Sequence, residues 1–251
     1  MDIKGFKVNF LGDSITEGVG VVDRANCRYD KRLEKMCSLS ATKNYGIGGT
    51  RLAHQQTASE KPRHDLCFCG RVYNMDKNAD MVVVYGGVND YIHGDAPFGE
   101  IGDKTPATFC GGVYFLMNFL RENYAGKPVV FMTPARCCYS NVDDLKPSPR
   151  PIKRPDAKPL IAYVEVIEET AKQFDIPVLN LYHKLDSTPT IPRSHRNIPL
   201  TVSTSTMPAT NFSPCALRNL SRVCNRINNR EPINSRLFSY IRKGSCNCSR
   251  I

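Results

Sequence analysis

The chain carries a serine hydroxyl where a strand would hand it to the edge of a sheet. Phe6-Lys7-Val8-Asn9-Phe10-Leu11 reads as a first β-strand, and Gly12-Asp13-Ser14 follows directly. Open α/β sheets collect ligands and catalytic groups at the carboxyl ends of their strands, which suits a nucleophilic hydroxyl. Such a hydroxyl is weak until a base takes its proton. Asn44-Tyr45-Gly46-Ile47-Gly48-Gly49-Thr50 is a glycine-rich turn. There backbone N–H groups approach an anion with no side chain in the way. Gly86-Gly87-Val88-Asn89-Asp90 follows an apolar run and puts an amide at the same sheet edge as Ser14. Taken singly, Ser14 reads as a helix N-cap, Gly49 as a bend and Asn89 as a turn residue. Three such blocks in order, each just past a strand, favour a site.

The elements that must position these residues alternate through residue 185. Short β-rich runs at 7–11, 81–85, 128–132 and 177–181 are apolar almost throughout, as in parallel strands covered on both faces. Leu160, Val164, Ile167, Ala171 and Phe174 recur at steps of four and three and form one helical stripe. Residues 106–124, rich in Phe, Leu and Met, predict a second long helix. Strand–helix alternation predicts a three-layer α/β/α sandwich with a mainly parallel sheet. The Pro- and Lys-rich stretch 143–156 reads as a surface loop.

Gly12-Asp13-Ser14-Ile15-Thr16-Glu17-Gly18 resembles the nucleophile block of the SGNH, or GDSL, hydrolases, and the two glycine-rich blocks resemble the next two of that family. The resemblance covers about three quarters of the chain and implies a flavodoxin-like core over residues 1–185. It implies a serine esterase or lipase cleaving carboxylic esters, acyl or acetyl, through an acyl-enzyme on Ser14. The N–H groups of Ser14 and Gly49 and the side chain of Asn89 would form the oxyanion hole, and a small-molecule ester would be the substrate. No metal or organic cofactor is implied. Ser40-Ala41-Thr42-Lys43 also fits a Ser-x-x-Lys pattern and is taken as a chance match.

In the SGNH family the base is a His preceded by Asp in a late Asp-x-x-His block. That late block is missing here. His183 and His195 come nearest to the expected region, but Lys184 and Arg196 follow them rather than the family's pattern. His93 lies close to Asn89 and reads as a loop residue. Composition changes near Leu185: Ser, Thr, Asn, Arg and Pro dominate, and prolines at 189, 192, 199, 208 and 214 interrupt most helix windows. Only 217–223 hints at a helix. Back-translation in a shifted frame lets Leu200 through Thr210 read Asp-Gly-x-His-Phe-Asn-Asp-Ala-Gly-His, with Met207 and Pro208 forcing Ala. Residues 186–251 are therefore read as an out-of-frame tail.

Residues 186–251 hold 10 of the 34 Lys and Arg but only 2 of the 24 Asp and Glu, so they carry +8 of the net charge of +10. A genuine basic arm for nucleic acid is the rival reading, disfavoured because the bases are spread and nine of the ten are Arg. A non-catalytic module binding esters or carbohydrate is another. Eleven cysteines at irregular spacing argue against a disulfide framework, and Cys67-Phe68-Cys69 and Cys246-Asn247-Cys248 are too tight for structural zinc. Buried or idle thiols are expected. The N-terminus shows no apolar targeting stretch and no run is long enough to span a bilayer, which predicts a cytoplasmic protein.

Overall fold

The structure, a computed structural model, describes residues 2–136 and 157–184. Five parallel strands form one sheet in the order β2-β1-β3-β4-β5: β1 Lys7–Gly12, β2 Ala41–Gly46, β3 Met81–Tyr85, β4 Val129–Met132 and β5 Val178–Leu179. The connecting helices are α1 Ser14–Glu17, α2 Arg24–Cys27, α3 Tyr29–Cys37, α4 Phe68–Arg71, α5 Val88–His93, α6 Phe109–Asn123, α7 Leu160–Gln173 and α8 Leu181–Lys184. The predicted α/β class and mainly parallel sheet are present.

Alternation along the strands sends side chains to both faces. Leu11, Val82, Val84, Val129 and Phe131 enter one apolar core with α4, α5, α6 and α7. Val8, Phe10, Met81, Val83, Val130 and Met132 enter the other, with Tyr29 and Leu33 of α3 and Leu181 of α8. Helices on both faces make the three layers, which is why β3 and β4 are buried at every position. The stripe Leu160, Val164, Ile167 and Ala171 is the buried face of α7, and Phe174 caps its end. The second long helix begins at Phe109 rather than 106, because the Thr108 hydroxyl accepts from the Gly111 N–H and closes the first turn.

β2 differs from the apolar runs. It reads Ala-Thr-Lys-Asn-Tyr-Gly and lies at the sheet edge with no position fully buried. Sequence reading placed a strand before the second block without delimiting it. Residues 177–181 supply a two-residue strand, and Leu181 already starts α8. The loop expected at 143–156, the helix hinted at 217–223, His195 and the whole of 186–251 lie outside the described residues.

The chain crosses from β1 outward to β2 and then back past β1 to β3. The connection direction thus reverses between β1 and β3, the place where doubly wound sheets open a crevice at their carboxyl ends. Ser14 follows β1 and Asn89 follows β3, so the two flank this crevice.

Candidate active site

Asp13, not Ser14, caps α1: its carboxylate accepts from the Ile15 N–H at 2.9 Å. Ser14 is therefore the first helical residue, half-buried, with its hydroxyl released from the capping duty that sequence alone would allow it. A first-turn N–H has no intrahelical acceptor. Among the described residues the Ser14 N–H has no hydrogen-bond partner, and neither has the Gly49 N–H.

The second block wraps against this helix start. The Ile47 N–H donates to the Gly12 carbonyl at 3.1 Å, and the Gly48 N–H donates to Glu17 Oε2 at 2.6 Å. A Cβ placed on Gly48 would stand 3.4 Å from the Ser14 Cβ and 2.9 Å from Glu17 Oε2. Gly49 has φ +77°, which side chains resist. A Cβ there would also strike the His64 ring at 2.7 Å. The backbone at Gly49 calls for glycine, and at Gly48 the turn lies against the serine.

Asn89 sits in α5 rather than in a turn, and is 4% exposed. Its Nδ2 donates one hydrogen to the Thr50 carbonyl at 3.0 Å. Its Oδ1 lies 3.1 Å from His93 Nε2. An amide oxygen only accepts, so the His93 proton is on Nε2. The second hydrogen of Asn89 Nδ2 is not used by that pair of contacts.

His93 ends α5 and is not the loop residue expected. Asp90-Tyr91-Ile92-His93 has the Asp-x-x-His spacing, a match hidden inside the third block. Its geometry is structural. The Asp90 carboxylate accepts from the N–H of Leu52 at 2.9 and 3.1 Å and of Ala53 at 3.2 Å, tying the chain after the second block to α5. His54 and His183 are exposed, and the His183 N–H donates to Asn180 Oδ1. Burial and the positive charges of Arg51, Lys61 and Arg63 hold the His64 pKa below its ordinary value. The Ser40 and Lys43 pair lies at the amino end of β2, away from Ser14, where Lys43 pairs with Asp76 at 2.6 Å.

Sequence reading did not find Arg71. At 8% exposure it donates to the carbonyls of Gly12 (2.7 Å), Leu66 (2.9 Å) and Tyr45 and to the Thr50 hydroxyl (2.8 Å), with its guanidinium over the Phe68 ring. One fork thus joins the ends of β1 and β2 to the glycine turn. Its removal leaves three carbonyls without this donor. Arg71→Met is expected to lower unfolding free energy by about 3–5 kcal/mol, and Arg71→Lys to recover little because a point charge lacks the fork. Urea denaturation of the three proteins measures this; equal midpoints would contradict it.

Burial raises the Asp13 pKa from 3.8 to about 7, outweighing the Ile15 N–H and the Arg71 charge, which both lower it. Burial likewise lowers Arg71 to about 10 despite the attraction of Asp13. The folded protein therefore holds a proton on Asp13 that the unfolded chain releases near pH 4. Stability from this group is full below that value and falls as pH rises towards 7. Asp13→Asn keeps an oxygen for the cap, so it should flatten that fall, by roughly 1–4 kcal/mol between pH 4 and 8. Denaturant midpoints of both proteins across this range measure it.

Cys67, Cys69 and Cys110 are buried thiols, as expected. The Gly70 N–H donates to Cys67 Sγ, Cys69 donates to the Gly112 carbonyl, and burial pushes Cys110 up to about 11. Among the described residues no helix is long and apolar enough to cross a membrane.

Proteins of known structure share the fold. A protein from Lactobacillus plantarum of known structure superposes with a TM-score of 0.64 at 22% identity, covering 92% of this chain and 99% of the other. A protein described as a possible lipase from Chitinophaga pinensis gives 0.53 at 18% identity, over 71% and 68%. A protein from Bacteroides uniformis assigned as a GDSL-like lipase gives 0.52 at 18%, over 73% and 86%. At these identities the likeness is one of fold. No curated protein sequence matches significantly. The model of the GDSL-like lipase/acylhydrolase family matches residues 10–196, most of the chain and all three blocks, and on that match the chain belongs to this family.

Proposed function

We propose that this fold serves hydrolysis of carboxylic esters, with Ser14 as nucleophile. The hydroxyl oxygen adds to the acyl carbon and its proton passes to a base. The carbonyl oxygen becomes an oxyanion, the alcohol leaves with a proton, and water later releases the acid. The observation that supports this is that the glycine turn lies against Ser14 and is tied to Asn89 through the Thr50 carbonyl, while the Ser14 and Gly49 N–H groups have no partner among the described residues and Asn89 Nδ2 keeps a second hydrogen. Donors held there before reaction stabilise charge only as it develops.

The late Asp-x-x-His block that carries the family's base is the part missing from this sequence. His93 is turned to Asn89 Oδ1, and the family match ends at residue 196, short of the stretch that back-translates to Asp-Gly-x-His. The back-translation of 200–210 is what supports reading residues from about 186 onward as out of frame. As it stands, the chain keeps the crevice without that block and binds esters with little turnover.

Asn89→Ala, made in the chain with its frame restored from codon 186, should lower kcat for p-nitrophenyl acetate roughly 10²–10³-fold. Steady-state hydrolysis measures it. An unchanged kcat would remove Asn89 from the oxyanion hole.

A further inference from the structure

We infer that Glu17 is a positioning residue that sets the plane of the Gly48–Gly49 peptide, and so aims the Gly49 N–H; this rests on the oxyanion-hole reading above. Two neighbouring glycines leave a peptide plane free to rotate unless its flanks are held. Here both flanks are held by ions. On one side the Gly48 N–H donates to Glu17 Oε2 at 2.6 Å. On the other, the Gly49 carbonyl accepts from Arg51 Nη1 at 3.0 Å.

Each ion is itself fixed. Glu17 Oε1 accepts from Arg63 Nη2 at 3.0 Å. Arg51, 3% exposed, gives its Nη2 to Ser59 Oγ at 3.1 Å and Asp65 Oδ1 at 3.2 Å, while Asp65 also accepts from the Ser59 N–H and hydroxyl. Segment 59–65 is thus strapped over the glycine turn from both sides. The peptide between the two grips is the one whose N–H has no partner among the described residues. Glu17 lies three residues beyond Ser14 on the same short helix, so one element carries both the hydroxyl and the grip on the opposing turn. A misplacement of about 1 Å at such a donor costs up to about 10²-fold in rate.

The test compares Glu17→Ala with Glu17→Gln, which keeps a carbonyl oxygen to accept the Gly48 N–H. Amide exchange of Gly48, read by NMR on the full chain as it stands, is independent of catalysis. It should rise at least about tenfold in Glu17→Ala and stay near the parent rate in Glu17→Gln. In the frame-restored chain, Glu17→Ala should lower kcat for p-nitrophenyl acetate about 10–100-fold with KM within about threefold, and Glu17→Gln should recover most of it. Unchanged Gly48 exchange in Glu17→Ala overturns the proposal. So does faster exchange with unaltered kcat in a protein that Ser14→Ala silences. If Ser14→Ala leaves turnover intact, the ester-hydrolase reading itself falls, and the role of Glu17 falls with it.

Discussion

Ser14→Ala is expected to lower ester turnover of the frame-restored protein by roughly 10⁴–10⁶-fold, the scale on which triad enzymes lose rate with their nucleophile. What remains is the contribution of binding and the oxyanion donors, about 10³–10⁴ over water. The same substitution should leave stability within about 0.5 kcal/mol. Asp13 caps α1, the Ser14 hydroxyl takes part in no hydrogen bond among the described residues, and the side chain is half-buried beside Gly48. Loss of rate with an unchanged denaturation midpoint would separate a reacting group from a folding one. A variant that loses both together would make Ser14 structural.

Restoring the frame from codon 186 is expected to raise turnover by at least about 10³-fold over the chain as it stands. The serine needs a partner to remove its proton, and general bases together with the activation they confer supply factors of this order. Of the described histidines, His93 is turned to Asn89 Oδ1, His54 and His183 are exposed, and His64 stands with its ring against Gly49. Resequencing the gene from the codon of Tyr182 is the companion experiment. A frame continuing into Asp-Gly-x-His makes residues 186–251 an artefact of reading. If the frame stands and the repaired chain is no faster, the base lies elsewhere.

Much of this was legible because parallel strands buried on both faces must be apolar throughout. The runs at 81–85 and 128–132 could hardly be anything else, and β3 and β4 lie within them. The edge strand β2 carries Thr42, Lys43 and Asn44 and owes its place to pairing with β1, so hydropathy does not reveal its bounds. Ser14, Gly49 and Asn89 were readable as types at the ends of strands. Their supports were not. Arg71 looks in sequence like any cation on a short helix, and only the approach of Gly12, Tyr45 and Leu66 makes it a fork for three strand-end and loop carbonyls. The Asp90 to His93 spacing was hidden by the neighbouring Asn89, whose motif drew the reading. Glu17 reads as part of a motif string, whereas its function as an acceptor for the Gly48 N–H depends on a residue 31 positions away.

The most direct measurement is to treat the frame-restored protein with a fluorophosphonate, which phosphonylates an activated serine, and to map the modified residue by peptide mass spectrometry. Modification of Ser14, stoichiometric with loss of p-nitrophenyl acetate hydrolysis and absent from Ser14→Ala, is the expected result. An active protein whose label falls on another residue, or that takes up none, would contradict Ser14 as the nucleophile.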